Sequence, residues 1–451
     1  MSDSARAQAF LDAHPDLEKV EFLMPDLHGV VRGKWGPAKS LVKAFTEGVA
    51  LPYSTFGFDI WGRECLPTGL HIETGDKDGI CLGVPGTIAL VPWASQRTAQ
   101  VLMGLHTPDR APWFGDGRHV LQRVVDRFLA RGLTPVVAFE LEFYLLRPDY
   151  DPLCDPAPVP IGQVADGLER QHMYSINELD KHEAFFADVD AAGRLQDVPL
   201  DTTISEAGPG QFEINLNHRA DCIRAADDAV LLSRMICGTA RKHGLRATFM
   251  AKPFPDWPGN GMHMHVSLID REGNNIFAGA EAGEARLGHA VQGCLETMPE
   301  ALALFINGYN GYRRLAPNSY APTRATWGTD NRSVAVRIPN SSPQARRLEH
   351  RMSGADANPH LALAGILAGM LYGLDAGRNP PPPVEGSAYE GHGAGETLSD
   401  DMRAAIDRFS ASDFIAEALG KDFRHIFSEL KHAERDVFAS RISRLEYETY
   451  L

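Results

Sequence analysis

The sequence predicts an α+β protein in two parts. A small sheet-rich domain occupies residues 1–112, and a larger domain over 113–451 carries strands lining a polar chamber, flanked by helices. Three observations lead there. Separated strand-like segments each turn acids or histidines to one side and hydrophobes to the other. Helical stripes alternate with those segments beyond residue 117. A turn-rich stretch, RAPWFGDGR at 110–118, divides this region from short strands upstream that are punctuated by Gly and Pro.

Composition narrows the class. With 451 residues the chain can bury a large core, and its apolar and charged fractions are those of a globular enzyme. A formal charge of −15 argues against a nucleic-acid binder, so an anionic substrate would be met by local arginines. The six cysteines form no CxxC pair or metal spacing and read as reduced thiols of a cytoplasmic protein. The N-terminal MSDSARAQAF has no apolar signal core. Residues 361–374 are uncharged, but 14 residues rich in Gly and Ala suit a buried helix rather than a membrane span.

In chain order, residues 4–14 predict a short helix. Residues 20–35 predict two strands around a turn at 26–29, where Gly29 can take positive φ. Segments 71–74 and 80–91 are expected as further short strands. Residues 119–131 carry a helical stripe, with Leu121, Val124, Val125, Phe128 and Leu129 on one side. A Pro-rich loop is expected at 150–160, then a polar segment over 163–174. Helices are expected at 177–193 and 220–243, with a strand at 245–252. The four prolines at 380–383 end the 361–374 helix and begin an extended linker. Residues 399–451 read as amphipathic helices packed through Phe409, Phe414, Leu419, Phe423, Phe427 and Leu430.

The chemistry-bearing pattern starts at 136–145, VVAFELEFYL. As a strand it places Val137, Phe139, Leu141, Phe143 and Leu145 on one face and Ala138, Glu140, Glu142 and Tyr144 on the other. The two carboxylates then stand about 7 Å apart along the strand. Taken alone, such a face is commonly a solvated surface; buried, it would demand a cation or an arginine nearby. Residues 205–217, SEAGPGQFEINLN, repeat the arrangement, with a Gly-Pro-Gly loop after Glu206 entering a strand whose polar face holds Gln211, Glu213, Asn215 and Asn217. Residues 261–267, GMHMHVS, do so again with His263, His265 and Ser267. The HxH pair lacks a nearby Cys or third His, which discounts zinc. Between 324 and 351 there are six arginines in 28 residues: Arg324, Arg332, Arg337, Arg346, Arg347 and Arg351. Arg332 and Arg337 differ in parity, so the strand is expected to begin just after Arg332. Arg347, Glu349 and Arg351 share a face.

Five carboxylates (Glu140, Glu142, Glu206, Glu213, Glu349) with one imidazole (His263) make a hard-cation site suited to magnesium or manganese. Magnesium works with substrate phosphates, and arginine matches phosphate and carboxylate geometry. The residues therefore point to metal-assisted phosphoryl transfer, without a P-loop or a kinase-type glycine loop.

At these residues the chain resembles the glutamine synthetase superfamily. The matching segments are FELEFYL (139–145), EAGPGQFEIN (206–215), GNGMHMHVSL (259–268), NRSVAVRIP (331–339), ARRLEHR (345–351) and DANPHLALAGIL (356–367). The resemblance implies an N-terminal β-grasp domain and a catalytic domain built on a curved antiparallel sheet. It implies a homo-oligomer, commonly a dodecamer of two hexameric rings with active sites between subunits. The implied chemistry uses ATP to phosphorylate the γ-carboxylate of glutamate, after which an amine displaces phosphate. Carried over by position, Glu142, Glu206 and Glu213 would hold one metal ion, and Glu140, His263 and Glu349 another that bridges ATP. Gly259 and Arg314 would bind glutamate and Arg351 its γ-carboxylate. Arg332 would stabilise the transferring phosphoryl group, with His265, Ser267, Arg337 and Arg347 on the nucleotide. An ion pair between Arg332 and Glu349 is the alternative role for that arginine.

The match departs at four places. The flap after Arg314-Leu315-Ala316-Pro317 carries Tyr320 where ammonium-using members place a glutamate. The N-terminal loop reads Phe56-Gly57-Phe58-Asp59-Ile60-Trp61, and Pro258 replaces an asparagine. The tyrosine loop of adenylylation control is shortened to 380–393, which argues against that regulation. Phe58, Trp61 and Tyr320, with Asp59, would line an amine pocket; packing at a subunit interface is the other account of these aromatics. The Gly-Pro-Gly loop also looks like that of the γ-glutamylpolyamine ligases, so the expected acceptor is putrescine or a similar primary amine. A glutamine synthetase proper, and a non-catalytic assembly protein of the same fold, are the competing readings.

Overall fold

The computed structural model describes residues 1–148, 161, 173–279, 281–390 and 395–451. The Pro-rich loop and most of the polar segment expected before Tyr174 lie outside the described residues, as does Cys154. The five described cysteines are free thiols.

Among the described residues the chain forms two sheets. The first uses β1 (Lys19–Pro25), β2 (Val31–Pro37), β3 (Val49–Pro52), β4 (Asp78–Gly83), β5 (Ala89–Leu90) and β6 (Thr98–His106). Their order is β2-β1-β6-β4-β3, with β5 also on β6. The β1–β2 hairpin turns where expected, with Gly29 at φ 78°. β1 and β6 run parallel between antiparallel neighbours, the arrangement of a β-grasp sheet. The segment at 71–74 is a 3₁₀ turn, Ile72–Thr74, rather than a strand, because Gly75 at φ 80° closes it.

The second sheet uses β7 (Thr134–Leu146), β8 (Leu200–Ser205), β9 (Gln211–Leu216), β10 (Arg246–Thr248), β11 (Met262–Ile269), β12 (Trp327–Thr329), β13 (Val336–Ile338) and β14 (Leu348–His350). Its order is β12-β13-β14-β11-β7-β9-β8, with β10 also on β7. Apart from the parallel β12–β13 pair, every pairing is antiparallel. The strand expected over 245–252 is only three residues long. Arg332 sits in a turn, and β13 starts four residues after it.

Alternation along β7 is as the pattern requires: Val137, Phe139, Leu141, Phe143 and Leu145 are buried, while Ala138, Glu140 and Glu142 are half-buried on the other side. The apolar face packs on the helix Cys222–Lys242. Behind it lie the helices Glu281–Phe305 and Pro359–Ala376. The latter is long and apolar enough to span a membrane, yet most of it is buried inside the protein. It crosses its neighbour at glycines. A Cβ on Gly373 would stand 2.0 Å from the His289 carbonyl oxygen, and one on Gly293 2.1 Å from that of Gly369.

Two large elements escape the sequence pattern. β6 is buried along nearly its whole length and so shows no alternation. The helix Glu281–Phe305 carries an internal Pro299 and glycines that break its stripe.

The glycine crossing leads to a prediction. Gly373→Ala forces the two helices apart and should destabilise the protein by roughly 2 kcal/mol, read as a lower urea midpoint at unchanged slope.

Candidate active site

Strand register brings the acids together. Glu142 is the cross-strand partner of Glu213, Glu140 of His263, and Glu349 of His265. Directly opposed like charges repel, and burial removes the water that would screen them. The consequence is visible in the protonation of the cluster. Burial first, then the charges of Glu140, Glu142 and Glu206, push the Glu213 carboxyl well above its usual range. Burial and Glu142 together raise Glu206 to about 7. Burial also works against Glu140, but hydrogen bonds from His263 and His265 outweigh it and hold that carboxyl well below normal.

The histidines differ in what they leave free. Arg347 Nε donates to His265 Nδ1 at 3.1 Å, so the His265 proton sits on Nε2, which meets Glu140 Oε1 at 2.7 Å. Both ring nitrogens of His265 are engaged. His263 places Nδ1 3.3 Å from Glu140 Oε2 and Nε2 4.0 Å from Glu142 Oε1, which leaves Nε2 facing the acids.

Candidate ligand atoms of Glu140, Glu213 and His263 lie within 4.8 Å of one another, as do those of Glu140, His265 and Glu349. Glu140 thus stands where the two groups meet. The grouping differs from the expected one: His265 rather than His263 joins Glu349, His263 groups with Glu213, and Glu142 and Glu206 fall in neither set. Glu349 itself is buried and already neutralised: Arg337 Nη1 donates to it at 2.8 Å, and Arg351 pairs with its other oxygen. Burial raises its carboxyl, but Arg351 and the two histidines win and hold it at about 2.

The Arg332–Glu349 ion pair considered above is not formed. Arg332 is exposed at the cavity edge, pairs with no acid among the described residues, and lowers the Glu206 carboxyl by its charge. Arg337 is split between Glu349 and Asp330.

Two cavities meet at Glu140 and Asn215. The narrower, about 430 Å³, is bounded by Glu142, Glu206, Glu213, Gly259, Arg314 and Arg351, with Tyr320 and Arg332 at its edge. The wider, about 1080 Å³, is bounded by His265, Ser267, Asn275, Gln344 and Arg347. The acids therefore form a wall between a small arginine-lined chamber and a large cleft.

Loops around the narrow cavity are tied by side chains. Tyr144 donates its hydroxyl to the Pro258 carbonyl at 2.8 Å, and Gln211 Nε2 donates to the Gly259 carbonyl at 3.0 Å. Gly259 is required by close approach, since a Cβ there would meet the Ala251 carbonyl at 2.5 Å and Arg314 Cγ at 2.8 Å. Arg314 is buried with Nη1 on the Met352 carbonyl at 3.2 Å. Buried with no partner, Arg351 Nε and Asn215 Oδ1 remain for a ligand.

Asp59 and Trp61 do not reach this cavity. Asp59 is buried and accepts from the Trp61 and Arg63 amides and the Arg63 guanidinium, so its carboxylate shapes its own loop. Trp61 is 45% exposed, against Phe438 with Arg63 over its ring. Met173, Tyr174 and Lys252 do line the narrow cavity, and nothing in their local pattern marks them.

The comparisons with known proteins agree with this geometry. The family model for the glutamine synthetase catalytic domain matches residues 114–450. Gamma-glutamylputrescine synthetase PuuA of Escherichia coli K12 is 36% identical, covering 98% of this chain and 93% of the relative. A glutamate–isopropylamine ligase from Pseudomonas sp is 30% identical over 99% and 97% of the two chains. The solved structure of GmaS without ligand superposes with a TM-score of 0.84 at 27% identity, covering 98% of each chain.

Carboxylates held apart from their preferred charge state are a vacancy for positive charge, and divalent ions should bind and stabilise the fold. Adding millimolar Mg²⁺ or Mn²⁺ to chelator-treated protein should raise Tm, with about 2.7 kcal/mol gained at a hundred times Kd. Glu213→Gln should abolish most of the rise while leaving the ion-free Tm close to wild type, since burial and the neighbouring acids already favour an uncharged side chain there, as followed by differential scanning fluorimetry.

Proposed function

Since this chain belongs to the glutamine synthetase family, we propose that it joins the γ-carboxylate of glutamate to a primary amine, putrescine or a similar polyamine, with ATP cleaved to ADP and phosphate. It is an ATP-dependent glutamate–amine ligase, and the nature of the amine is the finer part of the reading. The observation that carries that part is Tyr320, 67% exposed at the mouth of the arginine-lined cavity, where a carboxylate would favour ammonium.

The donor set fits divalent cations: hard oxygen ligands, one imidazole with a free nitrogen, and mutual repulsion that a cation relieves. Glu140, Glu142, Glu206, Glu213 and His263 would hold two or more Mg²⁺ or Mn²⁺ ions, with Glu349 joining from the next strand. When bound, such ions neutralise the triphosphate and the reacting carboxylate so that two anions can approach.

The chain's own residues supply the rest. Arg314 and the Gly259 loop orient the glutamate backbone groups, and Arg351 aims the γ-carboxylate at the wall of acids. The large cleft, through His265, Ser267 and Arg347, takes the nucleotide, and Arg337 reaches its phosphates after leaving Asp330. A γ-carboxylate oxygen attacks the terminal phosphorus, the bond to the β-phosphate oxygen breaks, and ADP leaves. Arg332, paired with no acid among the described residues, meets the charge on the phosphoryl oxygens during this transfer. The amine nitrogen then attacks the acyl carbon and phosphate departs.

Domain division at 112/113 suits a catalytic unit that needs the N-terminal sheet of a neighbour. With Asp59 and Trp61 turned away from the cavity of their own chain, the loop 56–61 would complete the site of an adjacent subunit in a dodecamer of two hexameric rings. Free thiols suit a cytoplasmic enzyme.

An amine panel tests the acceptor. With ATP and glutamate saturating, kcat/KM for putrescine should exceed that for ammonium by at least ~10-fold; the reverse order would make the protein a glutamine synthetase proper. Arg332→Lys should lower kcat on the order of 10²-fold with KM for ATP nearly unchanged, because Lys lacks the planar fork.

A further inference from the structure

The four prolines at 380–383 lead into a segment that runs beside the turn carrying Arg332 and the Tyr320 flap. It is tied at both ends to segments that carry site residues. On one side, Trp327 Nε1 donates to the Pro381 carbonyl at 2.7 Å, and the Val384 amide donates to the Trp327 carbonyl at 2.8 Å. Asn331 Nδ2 donates to the Val384 and Gly386 carbonyls at 3.1 and 2.8 Å. The Ala388 amide donates to Ser333 Oγ at 3.0 Å. Asn331 and Ser333 are the two neighbours of Arg332 in sequence, and Val334, Val384 and Ala388 form a small apolar cluster beneath them.

On the other side the Tyr389 hydroxyl donates to the Ala321 carbonyl at 2.9 Å. Ala321 follows Tyr320 in the flap. The flap backbone is unusual there, with Asn318 at φ 62° and Tyr320 at φ 57°, a region that non-glycine residues seldom occupy. Ser319 Oγ donates to the Ala316 carbonyl at 2.7 Å and accepts from the Ala321 amide at 3.2 Å, which closes the flap on itself. The Tyr389 hydroxyl, which also meets the Ser319 side chain, joins this closed flap to the strap.

We infer that the strap 381–389 is a positioning element that sets Arg332 and the Tyr320 flap relative to each other, and that the Tyr389 hydroxyl holds the flap closed over the reacting acyl group. The inference rests on the ligase reading above. Its chemical consequence concerns water. In the coupled reaction the neutral amine nitrogen attacks the acyl carbon of γ-glutamyl phosphate, the carbon–oxygen bond to phosphate breaks, and the nitrogen gives up a proton that departs with the phosphate, giving the amide. If the flap opens, a water oxygen attacks the same carbon, phosphate leaves, and a proton goes to solvent. Glutamate is regenerated, and the net change is ATP plus water to ADP plus phosphate. Tyr389 lines neither cavity, so it acts through the flap.

The experiment uses the full-length protein with Tyr389→Phe, which keeps the ring and removes only the donor. Two readouts are taken. Phosphate release is compared with amide formation, and hydrogen exchange of the 316–323 backbone is followed without substrates. The expected result is a several-fold rise in phosphate released per amide formed, a higher KM for the amine and an unchanged KM for ATP. Exchange at the flap should be faster than in wild type. Asn331→Asp, which removes the donor at the other end of the strap, should speed exchange over 384–389 and lower kcat with less effect on the phosphate-to-amide ratio. It also stands in if Tyr389→Phe fails to fold. A wild-type ratio together with wild-type flap exchange in Tyr389→Phe would overturn the inference; for Asn331→Asp the contrary result is unchanged exchange over the strap. Wild-type protein without glutamate-dependent ATP turnover would instead overturn the ligase reading, and the exchange readout would still judge the tie between strap and flap.

Discussion

The site depends on one constraint, the cross-strand register that sets Glu142 against Glu213 and Glu140 against His263. Hydrogen bonding between strands fixes those pairs, and a one-residue slip would turn every acid into the apolar core. The sheet therefore holds like charges together against their repulsion, by means of Phe139, Leu141, Phe143, Phe212 and Met264 buried on the opposite face. Core packing on one side of the strands supplies the stability that makes a high-energy arrangement possible on the other. The raised affinity of Glu213 and Glu206 for a proton expresses that arrangement.

Around this wall the charges are sorted rather than mixed. Glu349 is satisfied by Arg337 and Arg351, while Glu140 is satisfied by two histidines, one of them oriented in turn by Arg347. Arg347 is spent on His265 and the Ala345 carbonyl, whereas Arg332 pairs with no acid among the described residues and stands at the edge of the smaller cavity. Such a layout keeps structural ion pairs apart from the groups left for a ligand. It also explains how a chain with a formal charge of −15 handles anionic substrates, since the positive charge is concentrated where two cavities share a wall.

Much of this was legible in the sequence because strand alternation has a short period. Alternation over 136–145, 205–217 and 261–267 assigned the polar face residue by residue, and the structure keeps each assignment. The resemblance to glutamine synthetases rested on the same segments, and the family match extends over residues 114–450. Elements buried on all sides were harder to read. β6 is buried on both faces along nearly its whole length, and the helix Glu281–Phe305 has glycines where it crosses a second helix, so neither shows the amphipathic signature that a surface element carries. Long-range side-chain ties were invisible for a different reason. Tyr144 on the Pro258 carbonyl, Gln211 on Gly259 and Tyr389 on Ala321 join residues 48 to 114 positions apart, and no local pattern encodes such a pairing. The partners of Glu349 likewise had to be seen, because parity alone allowed Arg332, Arg337 or Arg351.

The central claim is that divalent ions sit between carboxylates delivered by separate strands. Anomalous diffraction from crystals of the protein soaked with Mn²⁺ tests it directly. The account predicts two or more manganese peaks in the shared wall of the cavities, with oxygens of Glu140, Glu142, Glu206 and Glu213 at about 2.0–2.3 Å and a nitrogen of His263 in the same shell. Strong manganese peaks confined to surface acids, with this wall empty at saturating metal, would contradict it.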